Sequence, residues 1–246
     1  LRRLPMVFGI AVLAILVILF SAIRSLQKGR AQNLYAGMAK ETAHKIGTPL
    51  TSLNGWLTLL LENPSLSEKA LPEMAQDLNR LNTVSQRFET IGNPPKLFAF
   101  NLAEIGLNTI DYMRKRLPPS ISLNFSAKEN EINFYGNPGL MAWALENLIK
   151  NSADAFEGKN GEIMISIAQS EKWVEISVND TGSGIPESKW KKIFEPGYST
   201  KSRGWGMGLS LVKRIITEIH HGKIFVHKSK AWEKTEIKMV LPNHKK

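Results

Sequence analysis

Apolar positions along the chain fall into three successive regimes. From Met6 to Ile23 they run almost unbroken, MVFGIAVLAILVILFSAI, with no charged residue. As a helix these 18 residues would extend roughly 27 Å, close to the thickness of a hydrocarbon core, so the run reads as a transmembrane helix. A signal peptide would have a shorter apolar stretch and a small-residue cleavage site, whereas here Arg24, Lys28 and Arg30 follow and then a helical pattern. In the second regime Ala36, Ala39, Ala43, Ile46, Leu50, Leu53, Leu57 and Leu60 alternate spacings of three and four, the period of a coiled-coil seam. Met74, Leu78, Leu81, Phe88 and Ile91 continue it beyond the helix-breaking stretch Glu62-Asn63-Pro64-Ser65. These runs predict an antiparallel helical hairpin. One hairpin cannot bury both stripes, so a homodimeric four-helix bundle is the expected completion.

The third regime mixes periods. Asn101 caps a helix predicted over Leu102–Leu117, strands are predicted at Ile121–Phe125 and Ile132–Tyr135, and Asn137 with Pro138 opens a helix reaching about Phe156. Strands at Ile163–Ala168 and Trp173–Asn179 precede a Gly/Pro/Lys-rich stretch, Thr181–Trp205. A helix over Gly206–His220 and strands near Lys223–His227 and Thr235–Val240 close the pattern. This order predicts an α/β sandwich with helices over one face of a mixed sheet. The fold class is therefore α plus α/β. Its divisions are an N-terminal flank 1–5, a transmembrane helix 6–23, a juxtamembrane linker 24–33, a hairpin 34–92, a linker 93–101 and an α/β domain 102–246. The sequence starts at Leu1 rather than Met, so the expectation is that it is the tail of a longer protein.

Composition narrows the chemistry. The 246 residues include 32 Lys+Arg against 22 Asp+Glu, a net charge of +10, and no cysteine. Cys-ligated zinc and thiolate nucleophiles are excluded, and the five histidines show no HExxH-like spacing. The basic residues are spread along the chain rather than clustered, which argues against nucleic acid and leaves solvated lysines plus a few facing anionic lipid or nucleotide. Trp56, Trp143 and Trp173 fit core or interface packing, and His220-His221-Gly222 reads as a helix C-terminus with a glycine stop rather than a metal pair.

Four clusters carry candidate chemistry. His44 follows seam residue Ala43 by one position, about 100° around the helix, so it flanks the seam and reaches solvent. An exposed imidazole with a free lone pair has the properties of a phosphoryl acceptor. Lys40, Glu41 and Thr48 share its face, and Pro49 deprives the Lys45 carbonyl of its helical partner, which predicts a bent or loosened helix there. Asn147, Asn151 and Asp154 form a row of short oxygen-bearing side chains on one helix face, suited to a hard cation such as Mg²⁺ that also holds phosphates. Asp180-Thr-Gly-Ser-Gly-Ile follows the strand WVEISVN, placing a carboxylate where it can accept from an exocyclic amine, with Gly182 and Gly184 allowing a tight turn. Gly204-Trp-Gly-Met-Gly-Leu opens a helix with glycine-freed N–H groups behind Lys201 and Arg203, a phosphate-binding arrangement. The spacing is not GxGxxG, and no GxxxxGK[ST], HRD or DFG occurs, so dinucleotide, P-loop and Ser/Thr/Tyr kinase chemistries are disfavoured.

Together, Glu146–Ala155 (ENLIKNSADA), Asp180–Ile185 (DTGSGI), Phe194–Lys201 (FEPGYSTK) and Gly204-x-Gly-x-Gly-Leu209 resemble, in order, the N, G1, F and G2 boxes of sensor histidine kinases, and Ala43–Leu50 (AHKIGTPL) resembles their H box. The resemblance covers roughly residues 34–241. It implies a dimerisation and phosphoacceptor hairpin joined to a Bergerat-type ATP-binding domain, with Mg-ATP phosphorylating His44 and the phosphoryl group passing to an aspartate of a response regulator receiver domain. No receiver sequence follows residue 241, so a separate regulator protein is expected. By the same resemblance Asn151 is the Mg²⁺ ligand, Asn147 a helper near the phosphates and Asp180 the adenine reader. Gly182 and Gly184 shape the base pocket. Lys201, Gly204, Gly206 and Gly208 line the lid over the phosphates, Phe194 anchors it, and Asp154 and Leu209 belong to the nucleotide site. The implied location is the inner membrane, with the kinase domains in the cytoplasm.

One departure stands out: Lys45 occupies the place where the family has an acidic residue after the histidine. A charged lysine cannot take the proton, so either Glu41 substitutes, water does, or autokinase activity is weak. Thr48 matches the position that orients water for dephosphorylating the regulator. The alternatives are therefore a phosphatase-biased protein or a catalytically silent ATP-binding scaffold. A gyrase-, chaperone- or mismatch-repair-like ATPase leaves the hairpin and the membrane run unexplained.

Overall fold

A computed structural model describes residues 43, 45–92, 95–201 and 206–243, with the backbone alone at 86–92. The predicted span 6–23, the linker 24–33, Glu41, His44 and Gly204 lie outside the described residues. Among the described residues no helix is long and apolar enough to cross a membrane.

Helix α1 covers residues 45–62 and runs on through Pro49, so the missing donor does not end it. Asn63 then accepts from the Ser65 N–H at 3.2 Å, capping the short 3-10 turn Pro64–Leu66, and α2 spans Ser67–Gly92. The covered positions are Gly47, Pro49, Leu53, Trp56 and Leu60 on α1 and Ser67, Ala70, Met74, Asp77, Leu81 and Val84 on α2, spaced by three and four from Pro49 and from Ser67 onward. Of the predicted seam, Leu53, Leu60, Met74 and Leu81 are covered within the single chain, while Ala43, Ile46, Leu50, Leu57 and Leu78 are exposed. Apolar residues occupy two adjacent stripes of α1, and periodicity alone does not say which one the larger Trp56 pulls inward.

Residues 93–101, expected to be linker, contain strand β1, Phe98–Asn101. It pairs antiparallel with β3, Asn133–Gly136, in a separate two-stranded ribbon whose Phe100 meets Phe134 edge-on at 5.8 Å. Asn101 closes this ribbon and opens helix α3, Leu102–Arg114: its side-chain oxygen accepts from Ala103 N–H and Ile132 N–H, both at 3.1 Å. Helix α4, Pro138–Asp154, begins as the cap residues predict, with Asn137 accepting from Leu140 N–H at 2.9 Å.

The main sheet has five strands in the order β2-β4-β5-β7-β6: β2 Ile121–Ala127, β4 Gly161–Gln169, β5 Trp173–Asp180, β6 Lys223–Lys230 and β7 Lys234–Pro242. β2 and β4 are parallel and the other pairs antiparallel, so the sheet is mixed as expected. Along β4, β5 and β7 the register aligns Ile165, Val178 and Ile237, then Ile167, Ile176 and Met239, on one buried face. There they join α3 and α4 residues such as Ile110, Met141, Leu145 and Leu148 in one core. The opposite face is polar, with Lys238 of β7 bonded to Glu175 of β5 at 2.8 Å, which holds the ammonium above the ordinary lysine range. Trp143 lies in the core, Trp56 is half-buried, and Trp173, expected to pack, is instead exposed at a strand end.

The last helix is shorter than predicted. Helix α5 covers Gly208–Arg214 and widens into a π turn, Ile215–Ile219, before His220. His220 is buried: its Nε2 accepts from Asn137 N–H at 3.0 Å, and Nδ1 therefore donates to the Ile215 carbonyl at 2.8 Å. His220 thus serves a structural role at the helix end. The left-handed residue at this helix end is His221 (φ 54°) rather than Gly222.

Candidate functional site

The site lies where α4, the end of β5 and the start of α5 converge. Asp180 is the last residue of β5 and stands on the helix-facing side of the sheet, between Ile163 of β4 and Thr235 of β7. That register puts a carboxylate in line with core residues. Its Oδ2 accepts from Ser152 Oγ on α4 and its Oδ1 from Gly182 N–H, both at 2.9 Å. Burial pushes its pKa above the usual carboxylate value, while these two bonds oppose the shift. The group is fixed in rotation, each oxygen keeps a further lone pair, and an incoming N–H would relieve part of its desolvation.

Ser152 was not singled out from sequence. It lies four residues beyond Leu148, so it is a hydroxyl on the apolar stripe of α4, and that misplaced polarity was the available signal.

The turn after Asp180 is held from both sides. Ser183 N–H donates to Ala155 O at 2.9 Å, and Trp232 N–H, from the turn between β6 and β7, donates to Gly182 O at 2.7 Å. A Cβ on Gly182 would come 2.7 Å from Ala155 Cβ and 3.0 Å from Asp180 Oδ1, so the close packing of Asp180 against α4 requires a glycine. Gly184 has φ 78° and its missing Cβ would strike the Ala231 backbone at 2.9 Å. Trp232 and Ala231 too were invisible in the sequence, because the hairpin tip that carries them lies some 50 residues further along.

Phe194 is buried as the anchor of the long stretch, and Trp190 Nε1 donates to Ile185 O at 2.9 Å nearby. Gly197 N–H donates to Gly206 O at 3.1 Å, and Gly206, at φ 65°, lies so close that a Cβ would fall 2.4 Å from the Gly197 carbonyl carbon. Gly208 opens α5 directly against the row on α4: a Cβ there would lie 3.0 Å from Asn147 Oδ1 and 3.7 Å from Asn151 Nδ2. Asn147 ties its amide to the Trp143 carbonyl at 2.8 Å, which aims its oxygen at Gly208. Leu209 is half-buried and packs on the core.

Lys201 crosses to the same row. Its ammonium lies 2.5 Å from Asp154 Oδ2 and 3.4 Å from Asn151 Oδ1. Neutral and anionic oxygens on α4 thus already hold a positive charge, which fits them for a hard cation. Among the described residues no group of three His, Cys, Asp or Glu side chains gathers for a metal, so a bound cation would take further ligands from phosphate and water. The structure therefore assembles Asn147, Asn151, Asp154, Asp180, Gly182, Gly184, Lys201, Gly206 and Gly208 around one region. Lys45 and Thr48 lie exposed on α1.

Residues 136–245 match the model of the family described as histidine kinase-, DNA gyrase B-, and HSP90-like ATPase. Sensor histidine kinase ZraS of Escherichia coli (strain K12) is 31% identical over 198 residues, covering 77% of this chain and 42% of that protein. Residues 136–245 thus fall in that ATPase family, and the chain is similar to sensor histidine kinases. It spans about half the length, or less, of the first curated relatives it matches. Among solved structures, the catalytic domain of histidine kinase ThkA is 27% identical, with a TM-score of 0.56 over 61% of this chain and 97% of that one. ThkA in complex with response regulator protein TrrA, at 24% identity and a TM-score of 0.55, covers 84% of this chain and 61% of that one and supports the fold.

Proposed function

We propose that this chain binds Mg-ATP between α4, the Asp180 turn and Gly208, transfers the γ-phosphoryl group to His44, and passes it to an aspartate of a separate response regulator. The observation that carries the nucleotide reading is Asp180: a buried carboxylate, oriented by Ser152 and Gly182, with acceptor capacity left for an adenine amine. Asn151 and Asp154 supply the oxygens for Mg²⁺, which when bound would neutralise phosphate charge. Asn147, Gly206 and Gly208 shape the phosphate end, where only backbone or small groups fit. Two exposed apolar stripes on the hairpin support a homodimeric bundle, and the apolar run 6–23 supports anchoring in a lipid bilayer at the cytoplasmic membrane. The regulator reading is supported by ThkA, a kinase of like fold whose structure was solved with a response regulator.

The test is incubation with γ-labelled ATP and Mg²⁺, comparing the unaltered chain with His44→Gln. Acid-labile label that vanishes in the variant is the expected result. A second reading rests on Lys45, a cation where a proton acceptor is expected beside His44: ATP binding without label would establish a scaffold or a regulator phosphatase, with Thr48 the residue to vary next.

A further inference from the structure

The turn after Asp180 carries glycines at 182 and 184, the latter at φ 78°, so its own residues leave the backbone free and its shape is set by what holds it. At Gly182 the bonds run to Asp180 Oδ1 and from Trp232 N–H. At the other end, both backbone groups of Ile185 are taken by side chains. Its N–H donates to Ser229 Oγ of β6 at 2.8 Å, and its carbonyl accepts from Trp190 Nε1 at 2.9 Å. Ser229 Oγ in turn lies 2.9 Å from Thr235 Oγ1, and Thr235, buried on β7, is the register partner of Asp180 on β5. Ile185 and Trp190 both pack against the core.

The segment that carries Trp190 has backbone bonds of its own, from Lys189 N–H to Pro186 O at 2.8 Å and from Trp190 N–H to Glu187 O at 3.1 Å. The indole N–H therefore acts on the end of the Asp180 turn rather than on the fold of its own segment. We infer that Trp190 and Ser229 are positioning residues for base recognition: by locking Ile185 they hold the turn in the shape that keeps Gly182 N–H on Asp180 and leaves the carboxylate's remaining lone pairs open to an exocyclic amine. This rests on the nucleotide reading above and adds to it two residues that lie outside the boxes carrying that reading.

The experiment measures binding of ADP and of inosine diphosphate to the full chain by titration calorimetry in excess Mg²⁺, below the onset of melting of every variant. The two ligands share ribose and phosphates, but inosine diphosphate has a carbonyl oxygen in place of the amine, so the ratio of their affinities reports the base contact alone. Unaltered chain, Trp190→Phe, Ser229→Ala and, as a control at the far end of the sheet, Trp173→Phe are compared. The unaltered chain should prefer ADP. Trp190→Phe keeps an aromatic ring and loses the donor, and Ser229→Ala loses the acceptor; each should reduce the preference about two- to tenfold, the range for one hydrogen bond, while Trp173→Phe leaves it intact. A lowered melting temperature with the full preference retained, in either Trp190→Phe or Ser229→Ala, would overturn the inference and make these bonds merely structural. An equal reduction in Trp173→Phe would overturn it as well. Should Trp190→Phe not fold, Ser229→Ala decides by the same ratio. If the unaltered chain binds neither ligand, or both alike, the reading of Asp180 as the base contact falls and the inference with it, an outcome distinct from a preference that survives in the variants.

Discussion

Leu148 on α4 and Leu57 on α1 are both leucines of an amphipathic helix, placed by the same kind of periodicity, yet Leu148 is 1% exposed and Leu57 is 51% exposed. Beneath α4 lies a five-stranded sheet whose inner face is continuous, and α3 and α5 flank it. On α1, among the described residues, one of the two apolar stripes is covered and the other is exposed. The α/β domain is thus complete as a single chain, whereas the hairpin leaves apolar surface that a second copy can bury. Under the proposed function, the domain holds a small molecule in a fixed geometry and the hairpin meets another surface.

The largest expected effect comes from breaking this contrast directly. Leu148→Ala should destabilise the domain by about 2–5 kcal/mol, the cost of a core cavity. Leu57→Ala should cost within about 0.5 kcal/mol in dilute solution, as a surface change does. Urea melts at low and high protein concentration check this: the Leu57 penalty should grow with concentration as self-association covers the stripe, and the Leu148 penalty should not. An equal, concentration-independent penalty for both would remove the distinction between the two regions.

The same contrast governs what the sequence could tell. In the domain, Asn101, Asn137 and Pro138 marked their helix starts correctly, because a cap is a local interaction read within three residues. The strands of the main sheet were legible because alternation over six or more residues is strong. β1 was missed because four residues, FAFN, give too short an alternation, and its pairing with β3 is decided some 30 residues away. On the hairpin the period was legible but its rotation was not, since partner contact rather than spacing selects between two apolar stripes. At the site, Asp180 and the glycines were readable from their boxes, while Ser152, Trp232 and the Lys201 contact with Asp154 depend on chain segments that only folding brings together.

Two buried carboxylates sharpen the comparison. Asp77 in the hairpin is 3% exposed but accepts from the Arg80 guanidinium at 2.9 Å, so its charge is answered by another charge. Asp180 is answered only by a hydroxyl and a backbone N–H. Asp180→Asn should therefore leave thermal stability at pH 7.5 unchanged or raise it, since it removes a charge disfavoured by burial. It should weaken ATP binding by about 10- to 100-fold, the range for a hydrogen bond to a charged group. Calorimetry of binding alongside a thermal melt separates the two effects. A variant that binds normally would show that Asp180 serves packing rather than base recognition.

A smaller effect should appear with pH. Burial lowers the His220 pKa below its ordinary value of 6.5, with His221 adding to the shift and the Ile215 carbonyl opposing it. Around the ring stand Phe134, the Asn137 N–H and that carbonyl. A depressed folded-state pKa means the unfolded chain takes up the proton first, so this contribution is present above about pH 6.5 and is lost as pH falls toward the folded value. Asp180 has the opposite sign: its raised pKa is relieved by acid. Melting temperatures from pH 8 to 5.5 should fall more steeply in the unaltered chain than in His220→Gln, by at most one proton's worth, about 1.4 kcal/mol per pH unit. Asp180→Asn should steepen the acid loss or leave it unchanged, because the compensating group is gone. Parallel profiles for His220→Gln and the unaltered chain would place the acid sensitivity elsewhere.

The smallest expected effect concerns how the hairpin tip between β6 and β7 supports the Asp180 turn. Lys159 lies over the Trp232 ring at 3.8 Å from its centroid, and Trp232 is both half-exposed and left-handed, at φ 58°. A tryptophan accepts that conformation at some cost, which the cation contact and the bond from its N–H to Gly182 O offset. Trp232→Gly should relieve the backbone while losing the ring, and Lys159→Met should lose only the cation, about 0.5–1 kcal/mol at an exposed site. If the ring matters through Lys159, the double variant should be no worse than Trp232→Gly alone, and ADP affinity should change by no more than about threefold in either single variant. If Trp232→Gly instead abolishes ADP binding, the tip would be holding the adenine end rather than bracing its turn. The domain would then depend on a contact as far apart in sequence as the unfilled seam of the hairpin is in space.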